Sequence, residues 1–171
     1  MSLSVPTFNA VVADVCRSLA RHGFREIFLC CSHGGNYPVL RNLVARIREE
    51  HPTLRIRAKT DWDTEGTKQF VARESVNTAR MGLHAGLSET SRMLACRPDL
   101  VQMDKARERF MGDLSPYLPE FNRSGYFPPF DTISPTGILG DARESTRELG
   151  EKQLDHEIER FVVMMEAGAF G

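Results

Sequence analysis

No apolar run in this sequence approaches the roughly 20 residues of a membrane span, and the N-terminus lacks the basic-then-apolar layout of a signal peptide. The expected compartment is therefore the cytoplasm. A charge of one sign is missing as well: 22 Lys and Arg stand against 23 Asp and Glu, a formal net charge of −1. No excess positive field exists to gather phosphates, so nucleic acid is not expected as a partner. Cysteine is sparse, and Cys16, Cys30, Cys31 and Cys96 form neither CxxC pairs nor the even ladder of a disulfide scaffold. They read as reduced, mostly buried thiols, and none is taken as a nucleophile. Internal repeats and low-complexity tracts are absent. No G-x-G-x-x-G follows a strand, which argues against a Rossmann-type nucleotide binder.

What is present suits one folded domain over residues 1–171. Hydrophobic residues make up 41% and charged residues 26%, the balance of an ordinary globular chain and not of a disordered one. A chain of 171 residues can bury most of its apolar surface in a single core.

Helical and strand patterns alternate. From Thr7 to Arg21, the residues Phe8, Val11, Val12, Val15 and Leu19 recur at helical spacing, with Ser4 placed to cap the helix, Pro6 in its first turn and Gly23 to stop it. The run Glu26 to Cys31 is short and nearly all apolar, the pattern of a central parallel strand covered on both faces. Helical spacing returns from Asn36 to Glu50 through Val39, Leu40, Leu43, Val44 and Ile47, and Leu54 to Ala58 alternates as a second strand. A weaker helical signal covers Thr67 to Thr78, and a firmer one runs from Ser88 to Cys96 with Pro98 behind it. Five prolines between Phe110 and Gly137 indicate an ordered loop or an arm onto a neighbouring subunit. A last amphipathic helix, about Glu144 to Ala167, is expected to bury Leu149, Leu154, Ile158, Phe161, Val162 and Met165. The whole reads as an α/β fold, with helices on both faces of a mostly parallel sheet.

Two blocks carry chemistry. Ser32-His33-Gly34-Gly35-Asn36 sits where a strand hands over to a helix, the end of an open α/β sheet at which ligands bind. An imidazole there can hold a metal, and Asn36 can cap the helix; equally, the block is a glycine-rich turn that contains a histidine. His84-Ala85-Gly86-Leu87-Ser88-Glu89-Thr90-Ser91 opens the later helix. Ser88 is placed to cap it, and Glu89 in the first turn suits the positive end of the helix dipole. If that turn packs beside His33, His84 and Glu89 face the same crevice, where they can serve metal binding or proton transfer.

Both blocks, 51 residues apart from His33 to His84, resemble the creatininase family, which shares H-G-G-N after a strand and H-A-G-x-x-E-T-S further on. Family-like stretches extend over nearly the whole chain: Ser18 to Phe24, Met93-Leu94-Ala95 with Pro98 to Val101, and Gly137 to Asp141 leading to Thr146 and Gly150. The resemblance implies a three-layer α/β/α fold, commonly hexameric, with two divalent metals (zinc, manganese or iron) activating a water that attacks a cyclic amide, a formamide or a peptide. It implies His33 as a metal ligand, Glu89 as an active-site carboxylate on metal, and His84 as a proton-transferring catalytic group. Trp62 is either a substrate-covering aromatic or an ordinary core or surface residue.

The sequence departs from the family twice. Creatinine-hydrolysing members carry a metal-binding glutamate where this chain has Gly35, so creatinine is a poor candidate substrate; relatives of the H-G-G-N type hydrolyse formamides or the mycofactocin precursor peptide. The family also begins with a P-x-G-x-x-E-Q-H-G-P-H-L-P-L-x-T-D segment that supplies most of both metal sites, and nothing here matches it. The start resembles the family's interior, as an N-terminally truncated member would. His33 and Glu89 alone would hold a metal weakly. Asp61 and Asp63 are further carboxylates between the blocks, read first as a solvated loop. The alternative to an enzyme is then a catalytically incompetent folded subunit or interaction module. An exposed sheet edge favours a homo-oligomer.

Overall fold

The computed structural model describes residues 3–60, 63–109 and 129–166. Asp61, Trp62 and the greater part of the 110–137 segment lie outside them. Two compact units emerge: residues 1–64 with 161–171, and residues 65–160.

In the first unit α1 (Val5–Arg21) begins as the sequence indicates, with the Ser4 hydroxyl accepting from Thr7 N–H at 3.3 Å and Pro6 in the first turn. It ends at His22, and Gly23 follows at φ +93°, a conformation that only glycine adopts without strain. β1 (Glu26–Leu29) pairs in parallel with β2 (Arg55–Ala58), setting Ile27 opposite Ile56. The connection between them is α2 (Tyr37–Glu50). Its Leu40, Leu43, Val44 and Ile47 follow the i, i+3, i+4, i+7 rule and are buried against Ala13, Cys16, Ile27 and Ile56. Ile47 and Ile56 are fully buried, each worth about 1.5–3 kcal/mol of apolar burial. The Arg48 Nε–H donates to the Ile56 carbonyl at 2.9 Å and ties α2 to β2.

The strand expected from Glu26 to Cys31 stops at Leu29, with Glu26 exposed and only Ile27 of its four residues buried. Among the described residues β1 pairs with β2 alone, so its other edge has no strand partner among them. Phe28 meets the Phe161 ring edge-on, centroids 5.4 Å apart. Cysteine burial is also only half as expected: Cys16 and Cys31 are buried, whereas Cys30 and Cys96 are exposed.

The second unit takes in α3 (Thr64–Glu74) from its second residue onward. A residue at positive φ, Ser75 at 52°, separates it from α4 (Thr78–Met81), so the helical signal over Thr67 to Thr78 resolves into two helices. α5 (Leu87–Cys96) ends at Arg97 before Pro98. A short helix α6 (Phe130–Ile133) lies in the proline-rich stretch, and β3 (Glu108–Arg109) pairs antiparallel with β4 (Gly140–Asp141). α7 (Arg147–Glu166) follows, its final residues from Phe161 belonging to the first unit.

α7 follows the expected apolar stripe only in part. Leu149, Leu154, Phe161 and Met165 are half-buried, but the buried residues are Gly150, Gln153 and His156, while Ile158 and Val162 are 60% and 46% exposed. The reason is the partner it meets. Gly150 lies on the backbone of α5, the Gln153 amide donates to Ser88 Oγ at 2.6 Å, and His156 Nε2 sits 2.8 Å from the Gly66 carbonyl of α3. These are polar contacts to helix backbones and hydroxyls, and an apolar stripe cannot make them.

Candidate active site

His33 follows β1 by four residues and precedes a single 3₁₀ turn, Gly34–Asn36, that leads into α2. Its carbonyl accepts from Asn36 N–H at 3.0 Å and from the Cys31 thiol at 3.2 Å. The imidazole is exposed and lies over Gly35, where a Cβ would stand 2.9 Å from Nε2. The block thus stands at the carboxyl end of a strand, as its sequence suggests. Asn36 occupies the cap position of α2, but its side chain makes no capping bond; the helix starts with Tyr37-Pro38, and Pro38 has no N–H to donate to it.

The second block is a strap before α5. Its backbone bridges to a chain segment more than fifty residues away: Leu139 N–H donates to the His84 carbonyl at 2.8 Å, and Leu83 N–H donates to the Leu139 carbonyl at 2.8 Å. Gly82 and Gly140 make that approach possible, since a Cβ on Gly82 would stand 2.1 Å from the Leu139 carbonyl oxygen and one on Gly140 would stand 2.8 Å from Gly82 Cα. His84 is exposed, and its Nδ1 lies 2.7 Å from the Gly137 carbonyl oxygen. Ala85 adopts φ +49°, a left-handed conformation that costs a residue with a Cβ about 1–2 kcal/mol.

Glu89 holds that turn. Its Oε2 accepts from Ala85 N–H at 2.7 Å, so the carboxylate of the third helical residue reaches back over the start of α5. The cap residue is Gly86 and not Ser88. Ser88 lies inside the helix, where its buried hydroxyl accepts from Gln153 and so joins α5 to α7. His84 and Glu89 are thereby brought to either side of one turn in the second unit, and His33 belongs to the first.

One polar centre has no counterpart in the sequence reading. Asp141 is 2% exposed and accepts from Arg143 Nε and Nη2 at 2.9 and 2.8 Å and from the Arg143 backbone N–H at 3.1 Å, with Arg80 Nη1 3.2 Å away. The Arg143 hydrogen bonds, more than the opposing burial, hold its carboxyl down at about 2. A carboxylate inside the apolar run Ile138-Leu139-Gly140-Asp141-Ala142 is the signal that could have found it. An open cleft of about 490 Å³ beside α1 and α2, lined by Asn9, Arg17, Arg46 and Glu50 among others, contains none of the motif residues.

A parallel β-α-β unit with a histidine block at its strand end, and a glycine-supported strap that presents a second histidine and a carboxylate, define an α/β protein. Residues 1–165 match the family model for creatininase, creatinine amidohydrolase. The creatinine amidohydrolase of Pseudomonas putida is 30% identical over 164 residues, covering 90% of this chain and 60% of that protein. The mycofactocin precursor peptide peptidase of Mycobacterium ulcerans (strain Agy99) is 27% identical over 152 residues, covering 89% of this chain and 52% of the peptidase. A solved structure of creatininase described with manganese superposes with a TM-score of 0.75 at 26% identity, covering 97% of this chain and 66% of its own. The chain belongs to the creatininase family and has its α/β fold. It spans between half and two thirds of the length of these curated relatives.

Proposed function

We propose that this chain forms part of a metal-dependent amidohydrolase centre that cleaves a C–N amide bond. His33 and Glu89 serve as metal ligands, and His84 and Glu89 as catalytic groups. The observation that supports it most is the strap at 84–89, where a left-handed Ala85 is held by the Glu89 carboxylate directly after a histidine whose ring is anchored. Backbone strain of this kind collects at functional sites, because the surrounding structure must over-determine it. Membership of the family supports the reaction class.

The divalent ion, zinc, manganese or iron, is not fully provided for by the described residues. No group of three or more His, Cys, Asp or Glu side chains among them could hold a metal, whereas a catalytic zinc takes three protein ligands and a water. What this chain itself brings to the chemistry is proton handling. An amine leaves only when its nitrogen is protonated, and the proposal assigns the giving of that proton to His84. Gly35 stands where creatinine-hydrolysing members carry a glutamate, which favours a formamide or a peptide over creatinine as substrate.

A second reading, a catalytically incompetent family member acting as a folded subunit, is favoured by the absence of a three-ligand cluster among the described residues. Under either reading a homo-oligomer is expected, because Val11, Val15, Val162 and Val163 are each about half exposed. The deciding experiment measures turnover of a cyclic amide, an N-formyl compound and a peptide in excess manganese or zinc, with and without EDTA. The amidohydrolase reading expects turnover that EDTA removes and that His84→Ala and Glu89→Gln each lower by about 10² or more. Turnover indifferent to EDTA and to both substitutions overturns it, and no turnover of any substrate in excess metal leaves the second reading.

A further inference from the structure

We infer that the Gly137 carbonyl is a positioning group for His84: it fixes the imidazole in the tautomer protonated at Nδ1, so that proton transfer in this site runs through Nε2. The catalytic half of this statement rests on the reading of His84 as the proton-transferring residue; the tautomer does not.

The geometry leaves one assignment. A carbonyl oxygen has no proton to give, so at 2.7 Å from Gly137 O the His84 Nδ1 must be the donor. In the neutral ring the other nitrogen then carries the lone pair, which makes Nε2 the basic and proton-accepting atom. A hydrogen bond at one ring nitrogen that sets the chemistry of the other is a general device for orienting functional histidines.

The carbonyl is itself held from two sides, 53 residues from the ring in sequence. Two residues beyond it, the Leu139 N–H donates to the His84 carbonyl at 2.8 Å, so histidine and carbonyl sit on one backbone ladder. On the other side a buried serine, Ser134, closes the turn: its carbonyl accepts from Gly137 N–H at 3.1 Å and its Oγ donates to the Ile138 carbonyl at 2.8 Å. Gly137 lies at φ +76°, so the direction of its carbonyl depends on a left-handed backbone. A Cβ there would meet nothing within 4 Å, and a substitution therefore acts through backbone conformation rather than through a clash. Asparagine tolerates this conformation well and a β-branched residue poorly. Ser134 and Gly137 are thus positioning residues, acting on substrate only through His84.

The test reads the tautomer directly, without metal or substrate. In the ¹⁵N-labelled full chain, long-range ¹H–¹⁵N correlations of the His84 ring are recorded well above the ordinary imidazole pKa of about 6.5 and assigned by their loss in His84→Gln. The expected spectrum has a pyrrole-type Nδ1 and a pyridine-type Nε2. Gly137→Asn should keep it, while Gly137→Val, or Ser134→Ala if the valine variant does not fold, should give averaged or exchanged shifts. In an active preparation Gly137→Val should lower kcat about tenfold or more with KM unchanged, and Gly137→Asn should restore it. A wild-type ring protonated at Nε2 or averaged between the two forms overturns the inference, as does a tautomer unchanged in every variant. The spectral result stands whether or not the protein hydrolyses amides, so failure of the tautomer and failure of the amidohydrolase reading are told apart.

Discussion

Gly150 gives a prediction in which two physical effects have opposite signs. It lies within α7, where alanine in place of glycine ordinarily stabilises a helix by up to about 1 kcal/mol. Here the added Cβ would stand 1.9 Å from the Ser91 carbonyl oxygen, 2.4 Å from its carbon and 2.9 Å from Arg92 N, against 3.4 Å for an ordinary contact. All three atoms are α5 backbone, so no side chain can rotate away and the helices must separate by more than an ångström. Overpacking of that kind costs about 1–3 kcal/mol. Separation also strains the bonds on either side, Thr146 N–H to Ser91 Oγ at 3.2 Å and the Gln153 amide to Ser88 Oγ at 2.6 Å. At about 1 kcal/mol each these add roughly 2 more. Set against the propensity gain, Gly150→Ala should lose about 2–4 kcal/mol, a fall in Tm on the order of 10 °C for a chain of this size. Urea unfolding followed by far-UV circular dichroism should show a lower midpoint at unchanged m-value, with Glu159→Ala on the exposed face of the helix close to wild type. A Gly150→Ala protein as stable as wild type, or more stable, would refute the close approach of the two helices.

Three further outcomes are expected. Asp141, with its carboxyl held at about 2 against an ordinary 3.8, should stabilise the fold above the ordinary value and lose that contribution as pH falls from 3.8 toward 2. The shift corresponds to about 2 kcal/mol as an upper figure, since Arg143 is half exposed, so the stability gap between wild type and Asp141→Asn should narrow as urea titrations move from pH ~5 to ~2. In the native protein a thiol reagent should modify Cys30 and Cys96 rapidly, and Cys16 and Cys31 only on unfolding; peptide mapping that finds Cys16 among the fast sites would contradict its burial. Glu89→Ala should lose about 1 kcal/mol of stability with the bond to Ala85 N–H, whereas Glu89→Gln keeps an acceptor and should melt close to wild type. Thermal melts of the two variants check this.

Where sequence and structure agree, the information is local. α1 is legible because Ser4 and Pro6 mark its start and Gly23 its end, and α2 because Leu40, Leu43, Val44 and Ile47 repeat at the helical period. β1 and β2 are recognisable as apolar or alternating runs on either side of that helix, and Arg97-Pro98 ends α5 as its chemistry requires. Where they part, the deciding contact is distant in sequence. Nothing local says that α7 buries Gln153 and His156 instead of Ile158 and Val162, because the requirement comes from Ser88 and Gly66. Strands of two residues, such as β3 and β4, have no period to read. Ser88 has the chemistry of a cap, yet the chain enters α5 through Gly86 because the strap is held against Leu139.

The candidate site shows the same division, and it bears on whether Glu89 is structural or chemical. Its hydrogen bond to Ala85 N–H accounts for a glutamate at that position without any reaction. The bond engages Oε2 alone, and an ionised carboxylate has about four acceptor positions over two oxygens. A carboxylate anchored by one oxygen to the backbone has lost most of its rotational freedom, and a metal ligand or proton-transfer group needs that same restriction to act without further ordering. His84 is built alike, with its Nδ1 held on the Gly137 carbonyl. Under the proposed function, the contact that secures the fold in both residues is also the one that orients the group assigned to the chemistry. A structural account of the strap is therefore part of the case for its chemistry, and stability and turnover should separate only in variants, such as Glu89→Gln, that keep the anchor and change the charge.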